Sequence, residues 1–289
     1  MPKTSIGSWP TSTTALAEPT RGPISFLSDY GLTDEFVGVV HRVINGIAPG
    51  TLIADVTHQI PPHDVRAGAL ALWRCAPWLA PGVILAVVDP GVGTKRRPVA
   101  VATEAGAVLV GPDNGLLLPA ALRLGPITAA VELAKNNGPD LGSTFDGRDL
   151  FGPAAARIAT GVDVRSLGAE IEPGGLRGDP VPEAEREADG GVRTEVLWVD
   201  RFGNAQLNVR PDDVRDLGTV VDVRTRKRKW RARQVGAYGD LRERRPGKPA
   251  EVGLVRDSYG YLSISLNRES AAAFTGIRTG QTVWLTPRE

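Results

Sequence analysis

Residues 23–160 repeat one pattern, in which a short apolar run is followed by a polar loop and then by apolar residues at helical spacing. Such apolar runs are residues 24–27, 51–56 and 83–88. Strands that alternate with helices favour a mostly parallel sheet with helices on both faces. Residues 99–103 and 107–110 are joined by a short Gly-containing turn instead, which predicts a hairpin. We therefore predict an N-terminal α/β domain with a mostly parallel sheet.

The chain changes character after about residue 162. Proline, glycine and acidic residues then dominate as far as residue 190, and the later runs are short, strand-like and separated by turn residues. This second pattern is typical of a small all-β barrel or sandwich, and we predict a smaller, barrel-like C-terminal domain. The expected division is a disordered leader over 1–22, an α/β domain over 23–175, a linker over 176–190 and a β-barrel domain over 191–289.

The charge balance of the chain bears on whether it binds nucleic acids or membranes. The 34 basic and 33 acidic residues leave a net charge of +1, so no overall charge favours nucleic acid or an anionic membrane. Residues 224–233 are locally basic around Trp230. A nucleic-acid patch is one interpretation of this stretch, but an exposed strand or hairpin edge protected by charge is favoured. We expect neither a nucleic-acid nor a membrane partner.

The single cysteine, Cys75, excludes an internal disulfide framework and a cysteine-based metal cluster. No segment approaches the roughly 20 apolar residues of a membrane-spanning helix, and the N-terminal residues lack the apolar core of a signal peptide. A cytoplasmic protein is the expectation.

One loop stands out as a functional candidate. The apolar run 83–88 ends at Asp89, and a tight turn with two glycines leads to Arg96 seven residues later. Ligands of open α/β sheets bind at the carboxyl ends of the strands, where Asp89 is expected to lie. If the turn folds Arg96 back, a carboxylate and a guanidinium can together hold a small polar molecule such as water. Ordinary turn chemistry and a phosphate cradle of backbone amides are the alternatives.

Two further aspartates occupy comparable positions. Asp29 lies two residues after the apolar run 24–27, just past the expected strand end, where a short carboxylate can bond ribose hydroxyls or can simply cap a turn. Thr33 or Asp34 can cap the helix that follows. Asp146 precedes a helix expected over 150–160, so it either caps that helix or points into the same cleft as Asp89.

The two histidines after the second predicted strand raise the question of a metal. His58 and His63 lie near Asp55 and Asp64, but their spacing is not the i, i+4 pair of a zinc-binding helix. Asp64 is better explained as the N-cap of a helix over 65–76. We therefore expect no metal.

Six short segments in order resemble one family, the S-adenosylmethionine (SAM) hydrolases, also called SAM hydroxide adenosyltransferases, which are related to SAM-dependent fluorinating and chlorinating enzymes. These segments are Phe-Leu-Ser-Asp-Tyr-Gly (26–31), Val-Val-Asp-Pro-Gly-Val-Gly-Thr (87–94), Gly-Pro-Asp-Asn-Gly-Leu (111–116), Thr-Phe-Asp-Gly-Arg-Asp (144–149), Asp-Arg-Phe-Gly-Asn (200–204) and Asp-Ser-Tyr-Gly-Tyr-Leu (257–262). The resemblance covers nearly all of residues 23–289. It implies an α/β domain followed by a β-barrel, in a homotrimer whose substrate lies between subunits.

The resemblance also implies roles for particular residues. Asp29 matches the residue that holds the ribose, and Asp89 and Arg96 match two members of an Asp-Arg-His set that activates water. The remaining matches are Phe202 and Asn204 on the adenine side, Asp200 and Ser258 around the methionine moiety, and Tyr259 where the halogenating relatives carry an arginine. Asp146 stands where the family usually has the histidine of that set. Asp146 therefore either forms a variant of the set or pairs with Arg96 and closes the site.

The activity implied by the resemblance is hydrolysis of SAM to adenosine and L-methionine, with SAM as substrate and no cofactor. The alternatives are a non-catalytic protein that binds SAM or adenosine and, less favoured, a SAM-dependent halogenase.

Overall fold

The computed structural model describes residues 22–134, 144–243 and 250–288. The expected leader therefore lies outside the described residues, apart from residue 22. The described chain forms two sheets, one in each half of the sequence.

The N-terminal sheet, sheet A, has the strand order β2-β1-β3-β5-β4-β6-β7. Its strands are β1 (Ile24–Ser28), β2 (Ile53–Thr57), β3 (Gly82–Val87), β4 (Pro98–Thr103), β5 (Ala107–Pro112), β6 (Ile127–Leu133) and β7 (Gly168–Glu170). Strands β2, β1, β3 and β5 pair in parallel. Strand β4 is antiparallel to both β5 and β6, and β7 is antiparallel to β6. Five of the seven strands thus run in one direction, which confirms the mostly parallel sheet, and the β4–β5 hairpin is confirmed as well.

Helices cover both faces of sheet A. The α-helices of the described residues are α1 (Phe36–Ile47), α2 (Val65–Leu79), α3 (Leu118–Arg123), α4 (Gly152–Ala159) and, in the C-terminal half, α5 (Ala271–Thr275). Successive side chains of a strand point to opposite faces, and β1 shows the result. Phe26 is buried in the core beneath α1 and α4, whereas Leu27 is buried in the core beneath α2 and α3.

The starts of two helices test the predicted caps. Asp64 caps α2, since its Oδ1 accepts a hydrogen bond from the Ala67 amide at 2.8 Å. The predicted cap of α1 by Thr33 or Asp34 is wrong, because the residue that flanks the helix is Glu35 and, in the part of the chain that the structure describes, no side chain caps it. Helix α2 also runs past its predicted end at residue 76 and includes Pro77.

The C-terminal half forms a closed seven-stranded barrel, which confirms the barrel-like domain. Its strands follow the order β10-β14-β13-β12-β11-β15-β9, and β9 pairs again with β10 to close the barrel. These strands are β9 (Val192–Val199), β10 (Ala205–Leu207), β11 (Val220–Arg224), β12 (Lys229–Val235), β13 (Val252–Arg256), β14 (Leu262–Ser265) and β15 (Thr282–Pro287). The short strand β8 (Glu185–Arg186), within the expected linker, adds to the outside of β9.

The basic stretch around Trp230 is not a sheet edge as predicted. Strand β12 pairs with β11 on one side and with β13 on the other. Barrel closure removes the free edge, so the charges of this stretch do not protect one.

Helix α2 packs against the barrel along its length. At its start Arg66 forms an ion pair of 2.5 Å with Glu195 of β9. Further along, the Arg74 guanidinium lies 4.0 Å from the centre of the Trp198 ring. In the last turn the Trp78 ring contacts the Tyr259 ring at a centroid distance of 5.8 Å. Among the described residues, none of the helices has the length and apolar character needed to cross a membrane.

Candidate active site

The loop after β3 forms a tight turn that brings Arg96 back to Asp89. The Gly91 amide donates to Asp89 Oδ1 at 3.2 Å, and Gly93 adopts a positive φ of 76°. Arg96 Nε donates to Asp89 Oδ1 at 3.1 Å, and its Nη2 donates to Asp89 Oδ2. This two-point pairing fixes the guanidinium plane relative to the carboxylate.

A second carboxylate completes the cluster. Arg96 Nη2 also donates to Asp146 Oδ2 at 2.5 Å. Asp146 stands at the start of a single π-helical turn, Gly147–Phe151, that leads into α4. The side chains of Asp89, Arg96 and Asp146 are 5%, 6% and 19% exposed. With both carboxylates ionised, the cluster carries a net charge of −1.

The protein environment stabilises the protonated form of Asp89 more than bulk solvent stabilises that of an exposed aspartate. Burial raises the pKa of the Asp89 carboxyl above its ordinary value, and the neighbouring charge of Asp146 adds to this rise. The Arg96 guanidinium opposes it but does not cancel it. Asp89 is therefore a stronger base than an exposed aspartate.

Tyr30 is a site residue that the sequence reasoning missed. Its ring packs edge-to-face against Phe26 and Phe145. Burial, with the charges of Asp29, Asp89 and Asp146, raises the pKa of the Tyr30 hydroxyl, so this group stays protonated. A Cβ on Gly147 would lie 2.2 Å from Tyr30 Oη, so only glycine fits there without displacing the ring. The signal in the sequence was the position of Tyr30, directly beside Asp29.

Asp29 lies on the same edge of sheet A as Asp89. Its amide donates to the carbonyl of Val87, the last residue of β3, at 3.3 Å. Its Oδ2 accepts a hydrogen bond from the His63 amide at 2.9 Å. Asp29 is therefore held at the carboxyl ends of β1 and β3, beside the start of α2.

The adenine-side residues of the resemblance form one ordered loop of the barrel. The carboxylate of Asp200 accepts hydrogen bonds from the amides of Phe202 (2.9 Å) and Asn204 (2.8 Å), and from Asn204 Nδ2 (2.8 Å). The Phe202 ring is 71% exposed. Phe202 and Asn204 line a cavity of about 640 Å³. All of the described residues that line this cavity belong to the C-terminal half.

Ser258 and Tyr259 belong to a second barrel loop, between β13 and β14. Asp257 Oδ1 accepts hydrogen bonds from the amides of Tyr259 (2.8 Å) and Tyr261 (3.0 Å), which shapes this loop. Ser258 is exposed, and the Tyr259 ring packs on Trp78 of α2.

Within one chain, the Asp89 cluster and the loop of Ser258 and Tyr259 do not form a single site. The start of α2 lies beside Asp29, whereas its last turn carries Trp78 against Tyr259. A 15-residue helix is about 22 Å long. The structure therefore brings Asp29, Asp89, Arg96 and Asp146 together at one end of α2, and it leaves the loop of Ser258 and Tyr259 at the other end.

Comparison with protein families gives two matches that together cover most of the chain. Residues 24–168 match the model of the SAM hydroxide adenosyltransferase N-terminal domain, and residues 194–284 match that of the C-terminal domain. Relatives named (R)-S-adenosyl-L-methionine hydrolase include one from Salinispora tropica, 43% identical over 91% of this chain and 97% of the relative. Another, from Thermus thermophilus, is 39% identical over 91% of this chain and 99% of the relative.

More distant relatives carry another name, and solved structures share the fold. A fluorinase from Actinoplanes sp. is 26% identical over 91% of this chain and 97% of the relative. The crystal structure of an uncharacterized conserved protein from Thermotoga maritima superposes with a TM-score of 0.82, at 30% identity, and covers 91% of this chain and 99% of that one. A conserved hypothetical protein from Thermus thermophilus gives a TM-score of 0.71 at 36% identity, with coverage of 91% and 99%. The chain belongs to the SAM hydroxide adenosyltransferase family.

Proposed function

We propose that this chain hydrolyses SAM to adenosine and L-methionine by attack of water on C5′ of the ribose. The observation that carries the proposal is the pairing of Arg96 with both Asp89 and Asp146 at the carboxyl edge of sheet A. Family membership and the hydrolase names of relatives at 39% and 43% identity support it.

Activation and placement of the nucleophile are the demanding parts of this reaction. The sulfonium leaves as neutral methionine, so no general acid is needed, whereas water is a weak nucleophile that must approach C5′ in line with the breaking C–S bond. In this proposal Asp89 accepts a hydrogen bond from the water, and Arg96 fixes the Asp89 carboxylate. Correct placement of reactants contributes about 7–11 kcal/mol in well-oriented cases. The raised pKa of Asp89 strengthens it as the acceptor of the proton that water loses.

Asp146 takes the place of the histidine in the family's set of three. Its contact with the same Nη2 that serves Asp89 makes an Asp-Arg-Asp cluster with one negative charge in excess. We propose that this excess charge raises the basicity of Asp89 and replaces the contribution of the histidine.

Substrate contacts follow from the family resemblance. We propose that Asp29 binds the ribose hydroxyls, that Phe202 and Asn204 contact adenine, and that Asp200, Ser258 and Tyr259 lie around the methionine moiety. Within one chain, Asp29 and the Tyr259 loop lie at opposite ends of α2, a helix about 22 Å long. We propose that a complete site therefore needs the barrel of a second copy. A homotrimer with sites between subunits meets that need. The proposal includes no cofactor and a cytoplasmic location.

A binding protein without catalysis is the second candidate, and the same contact favours it. In that case, the 2.5 Å bond from Arg96 to Asp146 would close the site instead of helping to activate water. A halogenase is disfavoured, because the carboxylate of Asp89 would repel a halide and the fluorinase relatives are the more distant ones.

Product analysis tests the proposal. Purified protein is incubated with SAM, and adenosine and methionine are quantified by chromatography beside the variants Asp89→Ala and Asp149→Asn. Asp149 is an exposed carboxylate three residues from Asp146 that pairs with Arg148, so its variant controls for local charge. We expect equal amounts of adenosine and methionine from the parent and from Asp149→Asn, and none from Asp89→Ala. Bound SAM with no adenosine from the parent would instead identify a binding protein.

A further inference from the structure

Two histidines and one aspartate meet on the outer strand of sheet A. His41 comes from α1, Asp55 from β2, and His58 directly follows β2. His41 Nε2 lies 2.9 Å from Asp55 Oδ1, and His58 Nε2 lies 3.1 Å from the same oxygen. The three atoms lie within 4.8 Å of one another. The sequence expectation of no metal considered His58 with His63, but the fold brings His41 to this position instead.

The His58 ring is buried and held in one orientation. The residue is 3% exposed, and its Nδ1 lies 2.7 Å from Ser28 Oγ, which also accepts a hydrogen bond from the Tyr30 amide at 3.2 Å. The opposite nitrogen, Nε2, makes no aligned hydrogen bond to any described residue, although Asp55 Oδ1 is close. A buried polar atom without a hydrogen bond lowers the stability of the fold. A ligand bound at His58 Nε2 would remove this cost.

We propose that His41 Nε2, Asp55 Oδ1 and His58 Nε2 bind a divalent transition metal, and that zinc fits best. Imidazole nitrogens with one carboxylate oxygen form a common donor set for zinc, at bond lengths of about 2.0–2.2 Å. Ligands at such distances on a tetrahedron are about 3.3 Å apart, close to the 2.9 and 3.1 Å found here. His41 and Asp55 are partly exposed, so a metal can enter from solvent and keep a water as its fourth ligand.

Contacts around the cluster resemble the outer shell of a metal site. A ligating histidine usually donates its second ring N–H to a neighbouring acceptor, which orients the ring, and Ser28 Oγ stands at that position for His58. The His58 carbonyl accepts a hydrogen bond from the Gly31 amide at 2.8 Å. A bound metal would therefore stabilise the loop 28–31, which carries Asp29. The metal site itself does not depend on the proposed cleavage of SAM.

Zinc titration of the full-length, tag-free protein tests this site. The protein is first stripped with a chelator, and binding is then measured by calorimetry and by the shift in Tm on adding zinc chloride. The chain has three histidines, so His63→Asn is the matched control, and asparagine tolerates the positive φ of 66° at that position. We expect one zinc per chain for the parent and for His63→Asn.

The variants His41→Ala and Asp55→Asn remove partly exposed ligands and leave the buried His58 in place. We expect zinc affinity to fall at least about tenfold in each, with the zinc-dependent rise in Tm lost. Unfolding without zinc checks that both variants fold. Absence of zinc binding by the parent, or binding to His41→Ala as tight as to His63→Asn, would overturn the proposal.

Discussion

Arg96 donates a hydrogen bond from Nη2 to Oδ2 of Asp146 over 2.5 Å, although 50 residues separate them in the chain. The bond joins the loop after β3 to the turn that begins α4, and so it fixes both sides of the proposed reaction centre. Since the same nitrogen serves Asp89, a change at Asp146 is expected to reach Asp89 through Arg96.

Replacing Asp146 tests whether the aspartate is a working substitute for histidine. We expect Asp146→Asn to lower kcat at least about tenfold, since general-base contributions reach about 10²–10⁴-fold. We expect Asp146→His to change kcat by less than tenfold, because the parent cluster already activates water. Steady-state kinetics of adenosine release measure both, with Asp149→Asn as the control. A large gain in Asp146→His would contradict a tuned variant and would support a site closed by the Arg96–Asp146 pair.

The pH profile reports on Asp89 directly. Asp89 must be ionised to accept a proton, so kcat/KM should fall as pH drops through its raised pKa. The acid limb should therefore lie above the ordinary pKa of an aspartate. In Asp146→Asn, a negative charge that raises this pKa is removed, so the limb should move to lower pH. A limb that stays in place or moves upward in that variant would show that another group limits the rate.

Gly147 tests the packing of Tyr30. In Gly147→Ala the new Cβ would meet Tyr30 Oη at 2.2 Å, and the ring is held among Phe26, Phe36 and Phe145. Overpacking of this kind costs about 1–3 kcal/mol, so we expect a loss of that size in unfolding free energy, measured in urea, and a lower kcat. Gly174→Ala is the control, because a Cβ there would lie more than 4 Å from the atoms of every other described residue outside its immediate chain neighbours. Equal stability of the two variants would refute the contact.

Subunit mixing tests whether sites lie between chains. Asp89→Asn impairs the α/β half of a site and Phe202→Ala impairs the barrel half; Phe202 is exposed, so its replacement spares the core. In oligomers co-expressed at equal amounts, about a quarter of shared sites would combine two intact halves. We expect adenosine release above the mean of the two variants assayed alone. Activity equal to that mean would place the whole site within one chain.

Much of the fold was predictable from the sequence, because the patterns that indicate it each span only a few neighbouring residues. The apolar runs 24–27 and 83–88 identified the strand ends that precede Asp29 and Asp89, and the Gly turn after β4 identified its hairpin. The Asp64 cap was also correct, since it depends on an amide only three residues away. By contrast, no side chain of the described residues caps the start of α1 at Phe36, so no cap residue marks it in the sequence. The inner position of β12 depends on barrel closure.

The site was predictable in its residue types and less so in its geometry. The loop after the apolar run 83–88 singled out Asp89 and Arg96, a motif segment singled out Asp146, and the structure brings these three into contact. Tyr30 was missed because its role depends on the space left by Gly147, far along the chain. The meeting of His41 with His58 depends on how α1 packs over β1 and β2, for which the sequence spacing carries no signal.

The most direct test of direct water attack is a single turnover in H₂¹⁸O, with enzyme in excess over SAM and adenosine analysed by mass spectrometry. Direct attack predicts that the first adenosine formed carries ¹⁸O in its 5′-hydroxyl. Attack by the Asp89 carboxylate, followed by hydrolysis of the ester at its carbonyl, would give unlabelled adenosine and place the label in the protein. Labelled adenosine would support the proposed role of Asp89 as an acceptor for water, and unlabelled adenosine would contradict it.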